Sequence, residues 1–419
     1  MKNLFLALTL LAGLDTFAQK DTYTLLKPDR VFDGENMQIG WVVLIKNDKI
    51  EAAGPMSFKL PAGTEIIELK GMTLLPGLIE GHSHIFLHPY NETLWEDQVL
   101  KESRAERTAR AVNHAKLTLM AGFTTIRDLG TEGAFYDDAG LKKAIEKKII
   151  PGPRMIIATK AIVAKGSYAP KTADPDLHLP QGAAEVSSPD EMELQVRDQI
   201  GKGADLIKVY ADYGYGPKKQ VVPTLTVEEI ARAVIVANAS GRSVVAHASS
   251  AQGMLNAIRA GVSTIEHGDH ATLEVYQLMK EKNVALCPTL AAFEAYQEYF
   301  SGYKKGIDPE TNALLERKKI FQLALTTGVT ICMGGDVGVF SHGDNAREME
   351  TMVSYGMKPI DVLRSATSVN ADVFGYADRI GRIKKGLYAD LIAVQDDPSL
   401  DIKNIRKVQL VIKNGERYR

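Results

Sequence analysis

The middle of the chain alternates short runs rich in Val, Ile and Leu with longer segments of helical periodicity. This alternation constrains the fold more than any other feature, because repeated strand–helix units build a parallel sheet. We count about eight repeats, which favours an α/β fold of the (β/α)8 TIM barrel type over a doubly wound sheet; a count of six or seven strands stays open. The runs are Leu74–Ile79, Phe123–Arg127, Met155–Thr159, Leu206–Tyr210, Ser243–Ala246, Thr264–Glu266, Val284–Leu286 and Val329–Met333.

The two ends of the chain instead show short alternating strands with turn signals. One such strand is Trp41–Ile45, and another, Val408–Ile412, is followed by Asn414-Gly415, a dipeptide typical of tight hairpins. Neither end is large enough to fold alone, so we expect both to build one small β domain together. The predicted organisation is a signal peptide at 1–18, a first part of this β domain at 19–75, the barrel at 76–375 and a second part of the β domain at 376–419.

The first 18 residues have the pattern of a secretory signal peptide. Lys2 precedes an apolar run, Leu4–Leu14, and Thr16-Phe17-Ala18 supplies a small residue suited to cleavage. A membrane anchor would need about 18–20 apolar residues, more than this run offers. No later segment is long and apolar enough to span a bilayer, so we expect a periplasmic or secreted protein.

The charge balance excludes some classes of binding partner, and the positions of the cysteines indicate their redox state. Lys and Arg number 50 against 52 Asp and Glu, and the net charge of −2 offers no field for nucleic acid or an anionic membrane. Cys287 and Cys332 both lie in apolar, strand-like runs, which favours two buried thiols over a disulfide. The expected partner is a small molecule; the sequence leaves the oligomeric state open.

Histidines are concentrated where predicted strands end. Of nine in the chain, five lie at or just past a strand end: His82, His84, His247, His267 and His270. The carboxyl ends of barrel strands converge on one mouth. Side chains two apart on a strand face the same way, about 6.6 Å apart, so the His-x-His pair could reach one ion. Taken alone, that pair could equally be a solvated loop.

A carboxylate completes the set. Asp336 follows the last apolar run, Ile331-Cys-Met-Gly-Gly-Asp336. Imidazole nitrogens with a carboxylate suit Zn²⁺ or Mn²⁺. Each residue could be a hydrogen-bonded core group, but such an explanation does not readily cover all of them together.

Lys208 stands inside the run Leu206–Tyr210, where burying an ammonium is costly. Either it pairs with an acid such as Asp205 or Asp212, or it is not an ammonium. Burial beside cations lowers a lysine pKa, and a neutral amine can add CO₂ to form a carbamate that bridges two metal ions. This strand alone favours the salt bridge; metal ligands on flanking strands favour the carbamate.

The ordered set of His-x-His, Lys208, two strand-end histidines and Asp336 resembles the amidohydrolase superfamily. Within it, the chain is similar to the imidazolonepropionase-like group that includes Xaa-Pro and related dipeptidases. The resemblance covers nearly the whole chain after the signal peptide. It is carried by Leu75-Pro-Gly-Leu-Ile-Glu-Gly-His-Ser-His84, Gly122-Phe-Thr-Thr-Ile-Arg-Asp128, Gly203-Ala-Asp-Leu-Ile-Lys208, Ser263-Thr-Ile-Glu-His-Gly268, His342-Gly343 and Ala389-Asp-Leu-Ile392.

The resemblance implies a barrel with a β-sandwich and a site for two divalent ions, with Zn²⁺ favoured and Mn²⁺ the alternative. His82, His84 and Asp336 would hold one ion and His247 and His267 the other. A carbamate on Lys208 and a hydroxide would bridge them. Asp336 would also be the catalytic acid and base.

The chain departs from the dipeptidase pattern at one loop. Relatives usually carry Gly-Gly-His after the third strand, where this sequence reads Lys165-Gly-Ser-Tyr168. Tyr168 is therefore a candidate substitute in substrate binding. Tyr210, two residues past Lys208, and His342 are further candidates, although a packed tyrosine and a solvated loop histidine explain them equally well.

The sequence is compatible with three functions. The favoured one is hydrolysis of amide or peptide C–N bonds in small exported substrates, of dipeptide or N-acyl amino acid type. Opening of a cyclic amide, as in imidazolonepropionase, is disfavoured by Lys208, since those relatives resemble one-metal sites. A non-catalytic periplasmic binding protein on the same barrel is disfavoured because it would have no need of Asp336.

Overall fold

The computed structural model describes residues 21–170, 174, 176–215 and 220–419. The proposed signal peptide at 1–18 lies outside these residues. Among the helices that are described, none combines the length and the apolar character needed to cross a bilayer.

Strands from both chain ends form one sheet. Its order is β19-β18-β17-β5-β1-β3-β4, with β2 paired to β1. Strand β17 joins the two ends by pairing antiparallel with β5, where Leu391 faces Pro76. The bounds are β1 (Tyr23–Phe32), β2 (Met37–Ile39), β3 (Trp41–Lys46), β4 (Lys49–Pro55), β5 (Glu65–Pro76), β17 (Leu391–Gln395), β18 (Val408–Lys413) and β19 (Glu416–Arg417).

The turn between β18 and β19 follows from its sequence. Asn414 and Gly415 have φ values of 49° and 72°, the left-handed pair that a two-residue hairpin requires. Lys413 pairs with Glu416 across it. The hairpin predicted from Asn-Gly is therefore confirmed.

The central strands run parallel in two groups, β6-β7-β8 and β10-β9-β11-β14-β15-β16. Asp205 N donates to Ile157 O at 2.8 Å, which links the first group to the start of β11. The remaining strands are β6 (Leu78–Ser83), β7 (Phe123–Asp128), β8 (Arg154–Ile157), β9 (Ile162–Ala164), β10 (Ala184–Val186), β11 (Ile207–Tyr210), β12 (Asp212–Tyr215), β13 (Gln220–Pro223), β14 (Val244–Ala248), β15 (Thr264–His267) and β16 (Ala285–Cys287).

The expected eighth strand at Val329–Met333 is wrong as a continuous strand. Only isolated parallel bridges form there, from Ile331 to Leu286 and from Val337 to Ser83. The backbone passes so close to its neighbours that a Cβ at Gly334 would lie 2.8 Å from the amide nitrogen of His82. These bridges nevertheless join β16 to β6, an order consistent with a barrel.

Helices cover the parallel strands. Helix α4 packs on α5, α5 on α6 and α6 on α7, so neighbours in sequence are neighbours in space. Helix α5 begins with a reciprocal capping box between Thr226 and Glu229. The bounds are α1 (Trp95–Lys101), α2 (Arg104–Met120), α3 (Asp137–Glu146), α4 (Pro189–Gly201), α5 (Val227–Asn238), α6 (Ala251–Ala260), α7 (Leu273–Lys282), α8 (Leu290–Phe300), α9 (Asn312–Thr327), α10 (Ala346–Ser354), α11 (Pro359–Arg364) and α12 (Asn370–Val373).

The two cysteines lie in this core. Cys287 ends β16 and Cys332 follows the bridge at Ile331. Both are buried and free, so the prediction of two buried thiols is confirmed.

Candidate metal centre and active site

The carboxyl ends of the parallel strands bring the predicted ligands together. His82 lies in β6 and His84 directly follows it, while His247 lies in β14 and His267 ends β15. Register aligns the last two strands, since Ala248 is the Cα partner of His267. Ligands far apart in sequence therefore meet at one end of the sheet, because parallel strands share their direction.

Ligand atoms of His82, His267 and Asp336 all lie within 4.8 Å of one another. Asp336 Oδ1 is 3.6 Å from His82 Nε2 and 3.3 Å from His84 Nε2. The His247 and His267 ring centroids are 4.5 Å apart. All five side chains thus line one small volume.

The far nitrogens of three rings are bonded to protein, which fixes how the rings point. Nδ1 of His82 lies 2.9 Å from Glu266 Oε2, and Nδ1 of His84 lies 2.9 Å from Gly130 O. His267 Nδ1 is 2.8 Å from the Thr289 hydroxyl. Metal-bound histidines characteristically make such a bond with the nitrogen that does not bind metal. The Nε2 atoms of His82 and His84 are the ones left beside Asp336.

Burial keeps three of the candidate imidazoles neutral. It lowers the pKa of His82, His247 and His267 well below the usual histidine value, with neighbouring cationic groups adding to the effect. A neutral imidazole is the form that binds metal. His82 Nε2 is buried and has no hydrogen-bond partner within the described part of the chain.

Lys208 lies in β11 with no exposed surface, and its Nζ has no hydrogen-bond partner among the described residues. Asp205 instead accepts from Lys142 at 2.6 Å, and Asp212 accepts from the Ser250 hydroxyl at 2.6 Å. Both acids named for the salt-bridge alternative are therefore bonded elsewhere. Burial also lowers the pKa of Lys208.

Two of the candidate ligands have strained backbone. Asp336 and His267 adopt φ values of 62° and 73°, in the left-handed region that non-glycine residues rarely occupy. Asp336 N donates to His82 O at 2.9 Å, which holds the strained residue against β6. Such conformations cluster at functional sites, where surrounding contacts hold them in place. Burial raises the pKa of Asp336, although nearby His84 opposes the shift.

A buried network that sequence reasoning missed supports His82. Glu266 Oε1 accepts from Arg127 Nη2 at 2.8 Å while its other oxygen meets His82. Arg127 also donates to Gly81 O at 2.6 Å. The available signal was a charged residue inside each of two apolar strands, β7 and β15, as at Lys208.

A second missed carboxylate holds the loop of Asp336. Glu80 Oε1 accepts from Gly335 N at 2.8 Å, and its Oε2 accepts from Asn345 Nδ2 at 2.9 Å. Burial raises the Glu80 pKa to about 7. The residue before Asp336 is therefore tied directly to the strand that carries His82.

A cavity of about 210 Å³ opens over these ligands. Tyr168 and Tyr210, both proposed for substrate binding, line it, and the Tyr210 ring stacks on His247 at 4.5 Å. The lining comprises His84, Leu87, Tyr90, Glu132, Tyr168, Tyr210, Tyr213, His247, His267, Asp269, Thr289, Ala292, Phe293, Tyr296, Asp336 and Val339. Glu132 is a lining residue that sequence reasoning missed.

His342 does not belong to this lining, and its proposed contact with substrate needs correction. Its Nε2 lies 3.0 Å from Leu87 O, and its ring stacks on His114 at 4.2 Å. The side chain is buried. Its role in this structure is to tie the loop after Asp336 to the segment that follows β6.

The donors fit a divalent metal centre. They combine neutral imidazoles, an inward-facing carboxylate and a buried lysine nitrogen without a described partner. This nitrogen–oxygen set is the kind that zinc and manganese bind. Glu266 and Cys287 also lie within 4.8 Å of His82, but Glu266 is already bonded to Arg127.

Comparison with known proteins gives a consistent result. Residues 73–418 match the model of the Amidohydrolase family. Ochratoxinase from Aspergillus niger is 29% identical over 376 residues, which cover 83% of this chain and 75% of the relative.

Solved structures agree over a longer stretch. A Xaa-Pro dipeptidase with methionine bound in its active site superimposes with a TM-score of 0.84 and 31% identity, covering 95% of this chain and 100% of that one. A prolidase in complex with N-methylphosphonate-L-proline gives a TM-score of 0.83 and 25% identity, covering 95% and 100%.

Proposed function

Because the chain belongs to the amidohydrolase family and is a hydrolase of carbon–nitrogen bonds, we propose that it cleaves amide or peptide bonds of small substrates with the help of divalent metal. Dipeptides and N-acyl amino acids are the substrate types. The observation that carries the proposal is the convergence of His82, His267 and Asp336 within 4.8 Å under the cavity.

His82, His84 and Asp336 would hold one ion, and His247 and His267 the other. Lys208, as a carbamate, would supply an oxygen to each. Bound divalent ions activate water near neutral pH and polarise a carbonyl. We favour Zn²⁺, with Mn²⁺ as the alternative, because the donors are mainly imidazole.

The chain's own residues supply the proton transfer. Asp336 lines the cavity with 13% of its side chain exposed, and its Oδ1 lies 3.3 Å from His84 Nε2. It accepts the proton of the attacking water and passes it to the leaving nitrogen, so one carboxylate is base and then acid in a turnover.

The aromatic residues of the cavity exclude water and orient the substrate. Tyr168 and Tyr210 are buried, with ring centroids 5.0 Å apart. Burial raises the pKa of both phenols well above the usual range, so both hydroxyls keep their protons and can donate hydrogen bonds. Tyr210 is the nearer of the two to the metal ligands, because it stacks on His247.

We infer that the parallel strands close into a (β/α)8 barrel and that the terminal strands form its β-sandwich companion. Residues 1–18 are proposed to direct export, which would place the enzyme in the periplasm or outside the cell.

The test is a hydrolysis screen on metal-stripped protein reloaded with Zn²⁺ or Mn²⁺, using dipeptides, N-acyl amino acids and lactams. We expect dipeptides or N-acyl amino acids to be cleaved only after reloading. Cleavage confined to lactams, or equal cleavage by the stripped protein, would contradict the proposal. Glu92→Gln, at a solvent-exposed site beside His88, is a matched control.

A further inference from the structure

The cavity carboxylate Glu132 forms no ion pair with Lys or Arg in the described part of the chain. Glu132 is 2% exposed. Arg107, the nearby cation, donates instead to the backbone oxygens of Phe86 and Thr131. A buried carboxylate without a cation is costly. The positive charge that compensates Glu132 must therefore come from a ligand or from the metal centre.

The two carboxylate oxygens of Glu132 differ in the hydrogen bonds that they accept. Oε2 accepts from Trp95 Nε1 at 2.8 Å and from the Tyr168 hydroxyl at 2.6 Å. Within the described residues, the one hydrogen bond to Oε1 is a long one from the Tyr210 hydroxyl, at 3.5 Å. Two donors thus fix the carboxylate in place through one oxygen, and the other keeps free acceptor capacity.

Backbone geometry aims this side chain at the cavity. Glu132 has a φ of 49°, in the left-handed region that residues other than glycine rarely adopt. Its Oε1 lies 3.8 Å from His84 Nδ1, and His84 Nε2 is 3.3 Å from Asp336. The free oxygen is therefore separated from the proposed reacting centre by the breadth of one imidazole ring.

The rest of the lining favours a cation over an anion. No Lys or Arg is found among the described residues that line the cavity, whereas three carboxylates are: Glu132, Asp269 and Asp336. Asp269 is already paired with Arg317 at 2.7 Å. The rings of Tyr168, Tyr210 and Tyr213 surround the space beside Glu132, and aromatic faces attract ammonium groups.

We propose that Glu132 is a specificity residue that binds a protonated amine of the substrate, so that the preferred substrates are amides carrying an ammonium group close to the scissile bond. This inference rests on the proposed function and narrows its substrate class. The ammonium would be either the free α-amine of an unblocked dipeptide or the amine of a lysine-like side chain. Both present the same chemistry to Oε1.

Matched substrates separate these sources. Alanyl-leucine and propionyl-leucine differ only in the α-amine, and propionyl-lysine and propionyl-norleucine differ in the side-chain amine. One charged hydrogen bond is worth about 1.5–3 kcal/mol, so the amine-bearing member of the preferred pair should have roughly a 10- to 100-fold higher kcat/KM. The pair that shows the preference identifies the source of the amine.

Glu132→Gln removes the charge and keeps an oxygen for Trp95 and Tyr168. We expect it to abolish the preference mainly through KM, to leave the amine-free substrate within about threefold, and to keep the metal content of the wild type. Glu92→Gln is the matched control and should retain the preference. An equal loss on both members of a pair, or loss of metal, would assign Glu132 to His84 and the metal centre and overturn the proposal.

A binding measurement keeps the inference testable if the proposed function fails and no amide is cleaved. Calorimetry of the metal-loaded protein with propylammonium and with 1-propanol then decides. Binding of propylammonium that Glu132→Gln weakens by about tenfold or more supports the ammonium site. Equal binding of the two compounds, or binding that the substitution leaves unchanged, refutes it.

Discussion

Replacing Lys208 by methionine tests whether this lysine is a metal-bridging group or an ordinary ion-pair partner. Met has a similar length and no charge. Lys208 has no exposed surface and no described hydrogen-bond partner, so the substitution breaks no bond within the described protein. Exchanging it for an apolar side chain of similar volume leaves no hydrogen-bond partner unsatisfied, so the exchange should be nearly neutral or stabilising. We therefore expect metal-free Lys208→Met to unfold at the same or a higher urea concentration.

The metal-loaded protein should respond in the opposite direction. Metal at 100 times its dissociation constant stabilises a folded protein by about 2.7 kcal/mol, and a 100-fold weaker affinity removes most of that amount. The assay is urea unfolding of wild type and variant, each with chelator and with excess Zn²⁺, alongside metal analysis. The substitution should leave the free energy of unfolding unchanged or higher with chelator, and should lower it with excess Zn²⁺.

Two results would refute this reasoning. A loss of about 3–5 kcal/mol in the metal-free variant is the signature of a broken buried ion pair, and full metal stabilisation in the variant would mean that Lys208 does not bridge. The truncation Lys208→Ala adds a chemical check, because formate or acetate can replace a bridging carboxylate but not an ammonium. Partial recovery of its activity with short carboxylates, and a mass increase of one CO₂ on the wild-type lysine, are expected.

Three other outcomes are expected. Asp336→Asn should keep most of the metal while kcat falls by about 10²-fold or more, measured by metal analysis and steady-state kinetics; near-normal kcat would remove Asp336 from the proton transfer. Burial raises the pKa of Glu348 to about 8 from 4.5, so the folded state holds a proton that the unfolded state has released and the free energy of unfolding falls as pH rises from about 4.5 to 8. Urea unfolding across that range should show a shallower fall in Glu348→Gln, and an unchanged slope would contradict this. Mass spectrometry of the exported protein should find Gln19 at its start, whereas a retained Met1 would exclude cleavage after Ala18.

The clustering of the candidate ligands could be predicted because these residues carry local signals. His82, His84, His247 and His267 each follow an apolar run, and strand direction alone brings such positions to one end of a parallel sheet. The hairpin at Asn414-Gly415 was equally local, since two left-handed residues fix the turn.

What could not be predicted depends on contacts between distant segments. Glu266 and Arg127 are 139 residues apart and meet only after folding. Glu132 follows β7 without any periodicity that would mark it as buried. His342 was predicted to bind substrate because it closely follows Asp336 in the sequence. In the structure its ring instead stacks on His114.

The missing eighth strand and the position of Asp336 have a common physical origin. Leu286 bridges Ile331, but the chain then passes through Gly334 and Gly335, where a Cβ on Gly334 would overlap Cys287 Sγ. Close approach of the backbone replaces regular pairing, and Asp336 emerges with a left-handed φ whose amide is held by His82 O. An extended residue would continue the strand and alternate its side chain away from the neighbouring ligands. The irregular segment therefore places the Asp336 carboxylate beside the histidines. A regular strand, which the sequence pattern predicts here, would not place it there.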